Sequence, residues 1–364
     1  MTRNNATTEE TERDTDEIME DEEVVTLTHG AGGEAMRSLI EQLVVSRFDS
    51  TANPAAEAVG LSALDDGAAH PLSGGELSIV LTTDSHVVSP PTFPGGDIGR
   101  LSVAGTVNDL AVMGATDPIA LTCSLVVEEG TAKTSLENIM DSMRTTCEEA
   151  GVTITTGDTK VMGGGELDGP VINTTGIAAI DPAAVVTDAG LSPDDAIIVS
   201  GTIGDHGIAL LSEREGFDFG SDLQSDVAPV NDLVSAAVNA GDVTAMKDPT
   251  RGGLATTLNE MADKAAVGIE IEEQSIPIDD AIGSAGEVLG INPLSVANEG
   301  KIVLGVDSDD AENVLEAMRD CPLGENAAIV GRATDNNVGR VVLDTGFGRR
   351  YLSEPTGEAL PRIC

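Results

Sequence analysis

Several aspartates occupy places where a carboxylate could do chemistry, because they stand near the ends of predicted elements or in tight apolar surroundings. They are Asp66, Asp84, Asp109, Asp158 and Asp248. Asp109 lies in a stretch at 97–113 that is apolar nearly all round, which predicts a buried helix. A buried carboxylate is costly unless a metal ion or several donors satisfy it; a place at the edge of the helix is the alternative. Oxygen ligands in this number suit Mg²⁺ bridging nucleotide phosphates.

A cysteine, Cys364, is the last residue of the sequence, and that place favours chemistry over packing. Chain termini are commonly loose, whereas a structural cysteine is usually a small buried hydrophobe. A reachable thiol that can form thiolate is a nucleophile; an exposed thiol without a role is the alternative. The other cysteines form no CxxC pair, so a disulfide framework or a zinc site is not expected. Of these, Cys123 and Cys147 are expected in the core.

Glycine-rich loops before helical patterns are a second feature with chemical meaning. Residues 29–33 (HGAGG) follow a short predicted strand at 24–27, and similar glycines occur at 201–207 and 252–253. Such loops can aim backbone N–H groups at a phosphate, although many are only turns. Of only five lysines in the chain, three lie in glycine-bordered loops or at strand ends: Lys160, Lys247 and Lys301.

The composition bounds the class of protein. With 364 residues and 40% hydrophobic content, the chain can form two domains with cores. There are 63 acidic and 19 basic residues, a formal net charge of −44, which argues against binding nucleic acid or anionic membranes. Because the acid is spread along the whole chain, adaptation to high salt is favoured over a basic partner. Without an apolar span or a signal segment, a cytoplasmic protein is expected.

The patterns divide the chain into a disordered acidic tail at 1–23, a first domain at 24–180, a second at 181–350 that opens with a linker, and a mobile tail at 351–364. Strands are predicted at 77–83, 119–127, 152–156, 171–180, 197–200, 243–246, 302–306, 328–330 and 341–343. Helices are predicted at 97–113, from a capping box at Thr134 and Glu137 to about 151, from 254, and at 311–319. This alternation indicates an α/β or α+β fold, with the strand order left open.

Nine segments, in order, resemble the HypE family of hydrogenase expression/formation proteins, within the PurM-like superfamily of aminoimidazole ribonucleotide (AIR) synthetase. They are HGAGG (29–33), DDGAA (65–69), TDS (83–85), FPGGDIGRLSVAGTVNDLAVMGA (93–115), GDTKV (157–161), SGTIGDHG (200–207), KDPTRGG (247–253), ANEGK (297–301) and the final PRIC. GDTK and the DxTxGG stretch are common to the superfamily, whereas PRIC together with the FPGG–NDLAV block points to the family itself. Pro249 departs from the small residue expected there.

The resemblance implies a two-domain PurM-like fold, with an N-terminal ATP-binding domain, a C-terminal α/β domain and a flexible tail. It implies an ATP-dependent dehydratase that turns a carbamoyl group on its own terminal cysteine into a thiocyanate, the source of cyanide for [NiFe] hydrogenase. The implied partners are a HypF-like carbamoyltransferase, a HypC–HypD-like iron scaffold and a second copy of the chain.

Residue by residue, the family implies three roles. Cys364, Lys160 and Glu299 are the expected catalytic groups. The cofactor ATP is expected at His29, Gly30, Gly32, Gly33, Asn108, Asp158, Gly204, Asp205, Gly252 and Gly253. Mg²⁺ is expected at Asp66, Asp84, Asp109 and Asp248. Without the motif, Glu299 would be interpreted as a surface acid.

Two alternatives are kept. One is another ATP-using PurM-like enzyme, such as AIR synthase, selenophosphate synthetase or thiamine-phosphate kinase, for which PRIC has no explanation. The other is a maturation scaffold without catalysis, in which Cys364 only holds a metal or a partner.

Overall fold

The computed structural model describes residues 24–30, 32–48, 59–216 and 223–355. The predicted acidic tail at 1–23 and the end of the predicted C-terminal tail, including Cys364, lie outside these residues. No helix in the described ranges is long and apolar enough to cross a bilayer.

The first domain is built on a five-stranded sheet with the order β1-β2-β7-β5-β6, in which only β5 and β6 are parallel. Its strands are β1 (Ala68–Pro71), β2 (Ser78–His86), β3 (Thr92–Phe93), β4 (Gly96–Asp97), β5 (Pro118–Glu128), β6 (Ile154–Met162) and β7 (Val171–Ile180); β3 and β4 form a separate hairpin. Its helices are α1 (Gly33–Ile40), α2 (Ser46–Phe48), α3 (Ile98–Val112) and α4 (Lys133–Glu149), and a π-helical turn at Glu41–Val45 joins the first two.

Helix α3 is the buried helix that the sequence predicts, and it is the centre of the molecule. Small residues let it approach its neighbours closely: a Cβ on Gly99 would collide with the carbonyl of Ile139 in α4. Thr106 bonds Thr174 of β7 at 2.5 Å between the hydroxyl oxygens. On its other side Asn108 reaches the second domain, where its Oδ1 accepts from the backbone N–H of Val230 at 2.8 Å. The helix is therefore enclosed between the first sheet and the second domain.

The second domain is a seven-stranded sheet with the order β14-β13-β10-β12-β8-β11-β9, parallel only between β10 and β13. Its strands are β8 (Ala196–Val199), β9 (Val243–Lys247), β10 (Gly268–Glu272), β11 (Val303–Val306), β12 (Ala328–Thr334), β13 (Val341–Asp344) and β14 (Arg349–Tyr351). Its helices are α5 (Asp205–Glu215), α6 (Asn231–Ala240), α7 (Gly253–Lys264), α8 (Asp280–Leu289) and α9 (Ala311–Arg319).

Both faces of this sheet are covered. Alternate residues of β8 point to different clusters: Ile197 packs with α7, and Ile198 packs with α6 and α9. This burial on both sides explains why β8 is a continuous apolar run in the sequence. The mixed α and β content and the two sheets confirm the predicted fold class.

Several local predictions were wrong. Residues 24–26 form no strand, and Leu27–Gly30 is a 3₁₀ turn, because Val24 and Val25 are exposed and no strand in the described part of the chain pairs with them. The capping box is not formed: α4 begins at Lys133 with Ala132 as its N-cap, so Thr134 already lies inside the first turn. Residues 157–160 do not follow a strand but lie within β6.

The beginning of the predicted mobile tail is held by the second domain. Tyr351 ends β14, which pairs with β13. Leu352 is 3% exposed and packs into the core beside α7, and its N–H donates to the carbonyl of Val341 at 2.9 Å. The absence of periodicity had predicted that the mobile tail begins at residue 351. Pairing of Tyr351 and burial of Leu352 attach the first residues of that segment to the second domain instead.

Candidate active site

A cleft of about 440 Å³ lies where the two domains meet, and acidic side chains line much of it. The aspartates come from four separate segments. Asp66 precedes β1, Asp84 lies in β2, Asp109 in α3, and Asp248 follows β9. Four of the five aspartates singled out from the sequence thus share one cleft, which no spacing in the sequence shows.

Thr82 connects the first-domain part of the cleft. Its hydroxyl lies 2.9 Å from the carbonyl oxygen of Asp66 and 2.8 Å from Oδ2 of Asp109. Asp109 is at the edge of α3 and partly exposed to the cleft, while its neighbour Asn108 is fully buried. The buried helix and the edge position were offered as alternatives, and the structure combines them.

Glu299 reaches the same cleft from the loop before β11 and is only 3% exposed. Its backbone is fixed by three partners: the Asp226 carboxylate accepts from its N–H at 3.1 Å, and its carbonyl accepts from the N–H of Ala228 and from Nδ2 of Asn108. Its Oε1, by contrast, has no hydrogen-bond partner within the described chain. The interpretation of Glu299 as a surface acid is wrong.

Burial raises the pKa values of these carboxyl groups, and their mutual repulsion raises them further. The pKa of Asp248 rises to about 8, first through burial and then through the charges of Asp66 and Asp84. Burial and the charge of Asp248 likewise raise the pKa values of Asp109 and Glu299 well above their ordinary range. Such a cluster favours a proton or a cation in its midst.

A buried lysine holds one wall of the cleft. Lys247 Nζ lies 2.7 Å from Oδ1 of Asp66 and 3.2 Å from Oδ2 of Asp188. Burial would lower its pKa, but the two aspartates and Glu260 outweigh that effect and raise the pKa well above its usual value. Lys264 pairs with the same Asp188 oxygen at 2.6 Å. Lys247 is therefore a structural cation. It contacts Asp66 of the first domain, Asp188 of the predicted linker and Glu260 of α7.

Glycine turns lie next to this cleft. A Cβ on Gly32 would stand 3.1 Å from the Cβ of Arg251, so the predicted glycine loop and the TRGG turn touch. Gly252 has φ +80°, which favours glycine, and serves as the N-cap of α7. Thr256 of the first turn of α7 is buried, and its hydroxyl has no partner among the described residues. A helix N-terminus with a spare donor is a suitable place for a phosphate.

The second glycine turn lies around Gly204, the N-cap of α5 with φ +95°. Its N–H donates to Oδ1 of Asn298 at 2.8 Å, which places it beside the loop of Glu299. Asp205 and Asp226 both face Lys301, at 3.7 and 3.4 Å from its Nζ. Burial and the charge of Asp226 raise the pKa of Asp205 to about 6.

Other residues predicted to contact the cofactor have different surroundings. Asn108 uses its side-chain amide on the backbone of the second domain, so we assign it to the domain interface instead. His29 bonds the hydroxyl and N–H of Thr26 through Nδ1. Gly30 is exposed, and a Cβ added to it would meet no atom of the described residues within 4 Å.

Asp158 and Lys160 also lie away from the cleft. They pair with each other at 2.5 Å on the exposed edge strand β6. Two strands separate β6 from β2, which carries Asp84. At the usual strand spacing that is about 14 Å. Within one copy of the chain, Lys160 therefore lies apart from Glu299.

Sequence reasoning missed the supporting charges, namely Asp65, Asp188, Glu260, Lys264, Asp226 and Arg37. Lysine scarcity was the usable signal for Lys264, which is one of the five. No sequence signal distinguished the aspartates and glutamates, because 63 acidic residues are spread along the whole chain.

Whether the cleft suits a metal ion depends on its donors. Among the described residues no three His, Cys, Asp or Glu side chains stand close enough together to hold a metal by themselves. The chemistry of the donors nevertheless fits Mg²⁺, since Asp66 Oδ2 is a buried oxygen without a partner among the described residues, and the carboxylates of Asp84, Asp109 and Asp248 line the same cleft. Mg²⁺ commonly takes one or two carboxylates and completes its shell with water and phosphate oxygens.

Comparison with known families accounts for this arrangement. Residues 64–180 match the family model described as AIR synthase related protein, N-terminal domain, and residues 192–344 match its C-terminal domain. The two sheets and the cleft between them are thus those of an AIR synthase related, PurM-like protein.

Individual proteins similar to this chain show which AIR synthase related family it belongs to. A carbamoyl dehydratase HypE of Rhizobium leguminosarum bv. viciae is 45% identical over 344 residues, 93% of this chain and 95% of that protein. The crystal structure of a HypE–HypF complex contains a chain with 41% identity and a TM-score of 0.79, covering 87% of this chain and all of that one. A HypE crystallised with ATP has 41% identity and a TM-score of 0.77, covering 94% and 100%. The chain belongs to the HypE family of carbamoyl dehydratases, which take part in hydrogenase maturation.

Proposed function

We propose that this protein uses ATP to dehydrate a carbamoyl group carried by the sulfur of Cys364 and so forms a thiocyanate. The observation that carries the proposal is Glu299, a buried glutamate with an unpartnered Oε1 in an acidic cleft beside glycine turns. Family membership supports the reaction, and the HypE crystallised with ATP supports the cofactor.

The reaction needs a leaving group, because a carboxamide oxygen leaves poorly and phosphate leaves well. ATP phosphorylates that oxygen while the nitrogen loses one proton, giving ADP and an imidate phosphate. The second N–H proton then leaves, the C–O bond breaks, and inorganic phosphate departs from the new nitrile. The balance is one carbamoyl thiol and ATP to one thiocyanate, ADP and phosphate.

In this scheme Glu299 accepts a proton from nitrogen. A base works best when its pKa lies near the working pH, and burial among acids raises the pKa of this carboxyl group. The turns at Gly32, Gly204 and Gly252 would hold phosphates through backbone N–H groups. Mg²⁺, held by Asp66, Asp84, Asp109 or Asp248 together with those phosphates, would neutralise charge on the transferring group.

Lys160 requires a second copy of the chain for a role in this cleft. Strand β6 is an exposed edge, and Val161 beside it is 68% exposed. Leu81 of β2 and Ile177 of β7, which are cross-strand partners, add exposed apolar surface to the same sheet. We infer a homodimer through this sheet, which carries Lys160 of one copy toward the cleft of the other.

Mixed dimers test that arrangement. A Lys160→Ala chain and a Glu299→Gln chain should each be inactive alone and should recover about a quarter of the wild-type rate when mixed and refolded together. If the mixture stays inactive while the wild-type protein, refolded in the same way, is active, Lys160 and Glu299 act within one copy.

The main experiment is intact-mass spectrometry at high salt with a carbamoyl donor system, a HypF-like transferase and ATP. We expect a carbamoyl adduct that loses one water only when ATP is present. Cys364→Ala should bind ATP and form neither species. A carbamoyl adduct that persists unchanged with ATP would point to the scaffold without catalysis.

The remaining partner, a HypC–HypD-like iron scaffold that accepts the cyanide, is part of the same proposal. The other PurM-like activities are disfavoured because the chain belongs to the HypE family along its length. Cytoplasmic location and adaptation to high salt stay predictions, as do the domain boundaries at 23, 180 and 350.

A further inference from the structure

An ion-pair network outside the cleft joins the N-terminal helix to the start of the C-terminal tail. Arg37 of α1 donates from Nη1 to Oε1 of Glu260 at 2.6 Å and from Nη2 to Oε1 of Glu354 at 2.9 Å. The side chains are 30%, 14% and 23% exposed, so all three are largely withdrawn from water. Burial would lower the pKa of Arg37, but the two carboxylates raise it, which keeps the guanidinium charged.

The network ties together three segments that are distant in sequence. Arg37 lies four residues after Gly33, at the end of the glycine loop; Glu260 is in α7; and Glu354 follows β14. The adjacent residue of α7 supports the same contact, since Nδ2 of Asn259 donates to the carbonyl of Leu352 at 2.8 Å. Leu352 and Glu354 are thereby both held against α7, the first by Asn259 directly and the second through Arg37.

Direct contacts lead from this anchor to the cleft. The other oxygen of Glu260, Oε2, lies 3.7 Å from Nζ of Lys247, and the same Nζ lies 2.7 Å from Asp66. Three charged side chains therefore span the path from Glu354 to a carboxylate of the cleft. The ten residues from Glu354 to Cys364 reach about 33 Å when fully extended, which exceeds that path.

We propose that Arg37 is a positioning residue that anchors the start of the C-terminal tail at Glu354. The anchor keeps the point from which the chain continues to Cys364 close to the cleft. This inference rests on the proposed function, in which Cys364 carries the substrate. The benefit is effective concentration: a tether fixed beside its target raises the frequency of productive encounters without a new contact at the reacting atoms.

The charges explain why the anchor depends on the arginine. Glu354 Oε2 is buried and has no hydrogen-bond partner within the described residues. A Cβ on Gly33 would stand 2.9 Å from it, so the carboxylate packs tightly under the glycine loop. Without Arg37, two carboxylates that are largely withdrawn from water would lose the cation between them, and Glu354 would move out into water.

The test compares three variants of the full chain: Arg37→Gln, Glu354→Gln and the control Arg47→Gln. Arg47 is exposed and donates only to carbonyls of its own helical segment, at Gln42 and Leu43, among the contacts described. With the loaded tail and saturating ATP, we expect single-turnover dehydration to slow roughly fivefold to tenfold in the first two variants and not in the control. The double variant Arg37→Gln/Glu354→Gln should be no slower than either single one.

A second assay separates tethering from damage to the cleft. A carbamoylated peptide with the sequence of residues 356–364 is supplied to Cys364→Ala protein with and without Arg37→Gln. Because a free peptide has no root to anchor, we expect equal rates and equal KM for ATP. A lower peptide rate or a raised KM for ATP in the Arg37 variant would overturn the inference and place Arg37 in nucleotide binding.

Hydrogen exchange gives a readout without turnover, and it decides if the peptide is not processed. We expect faster exchange of the Leu352 amide in Arg37→Gln and Glu354→Gln, with unchanged exchange in β8. Unchanged protection of Leu352 in both variants would refute the anchor. Failure of the wild-type chain to dehydrate its loaded tail would instead refute the proposed function.

Discussion

At the scale of single residues, the cleft concentrates negative charge that water or a cation must balance. Asp248 is 6% exposed, and its raised pKa follows from burial and from the aspartates around it. An acid whose pKa is higher in the folded than in the unfolded state favours folding at low pH. The folded protein keeps a proton that the unfolded chain has already released, so the free energy of unfolding falls as the pH rises.

The first prediction follows from that sign. Without nucleotide or Mg²⁺, the free energy of unfolding should decrease between about pH 5 and pH 8, with a slope of up to about 1.4 kcal/mol per pH unit for each such group. Asp248→Asn should flatten this slope by one group or more, because Asp248 also raises the pKa values of Asp109 and Glu299. Denaturant titrations at constant high salt measure it. An unchanged slope in the variant would contradict the raised pKa.

A second prediction concerns Lys247, the cation between Asp66 and Asp188. Lys247→Met should destabilise the protein by about 3 kcal/mol, because it leaves buried carboxylates without their partner. Lys133→Met at the exposed start of α4 is the matched control and should stay within about 0.5 kcal/mol of wild type. Equal midpoints for both variants in denaturant unfolding would show that Lys247 has no structural role.

At the scale of elements, helix α3 determines how the domains meet. It presents apolar residues on all sides, so it can pack on the first sheet, on α4 and on the second domain at once. The carboxylate of Asp109 and the amide of Asn108 are neighbours in sequence yet face different surroundings, the first the cleft and the second the domain interface. A small shift of this helix would therefore disturb both the cleft and the interface.

Gly99 tests the packing of α3. Gly99→Ala should destabilise the protein by about 1–3 kcal/mol, because the added methyl group would meet the carbonyl of Ile139. Gly283→Ala in α8 is the control: its Cβ would find Ile278 at an ordinary 3.8 Å, so the change should be neutral or stabilise by up to about 1 kcal/mol. A comparison of thermal unfolding enthalpies and midpoints distinguishes them. Similar midpoints for the two variants would refute the close approach.

At the scale of the whole molecule, the net charge of −44 makes stability depend on ionic strength. Surface carboxylates repel one another over the Debye length, which is about 3 Å at 1 M salt and about 10 Å at 0.1 M. We expect the unfolding midpoint to fall by more than about 10 °C when KCl is reduced from 2 M to 0.1 M, since many pairs then interact. NaCl at equal ionic strength should act in the same way. A midpoint independent of salt would refute the high-salt interpretation of the composition.

The elements with a strong local signal could be predicted from the sequence. The bounds of three elements were predicted to within about one residue: helix α3, the strand at 171–180 and the helix at 311–319. Predictions failed where the structure of a segment depends on the strand that lies beside it. Residues 24–26 had the apolar pattern of a strand but have no partner strand among the described residues. GDTK looked like a loop because its glycine and polar residues lie on an exposed edge strand. Helices α6 and α8 were missed altogether.

What the sequence determined by itself was chemistry of residue types: carboxylates in apolar settings, glycine turns, scarce lysines and a cysteine at its end. Only the tertiary structure decided which of them meet. Asp66, Asp84, Asp109, Asp248 and Glu299 come from distant segments, and packing of α3 between the two sheets brings them into one cleft, whereas Lys160 stays on an outer edge. The physical reason is that periodicity reports which face of an element is buried, but the distance between elements is set by side-chain volume and sheet order.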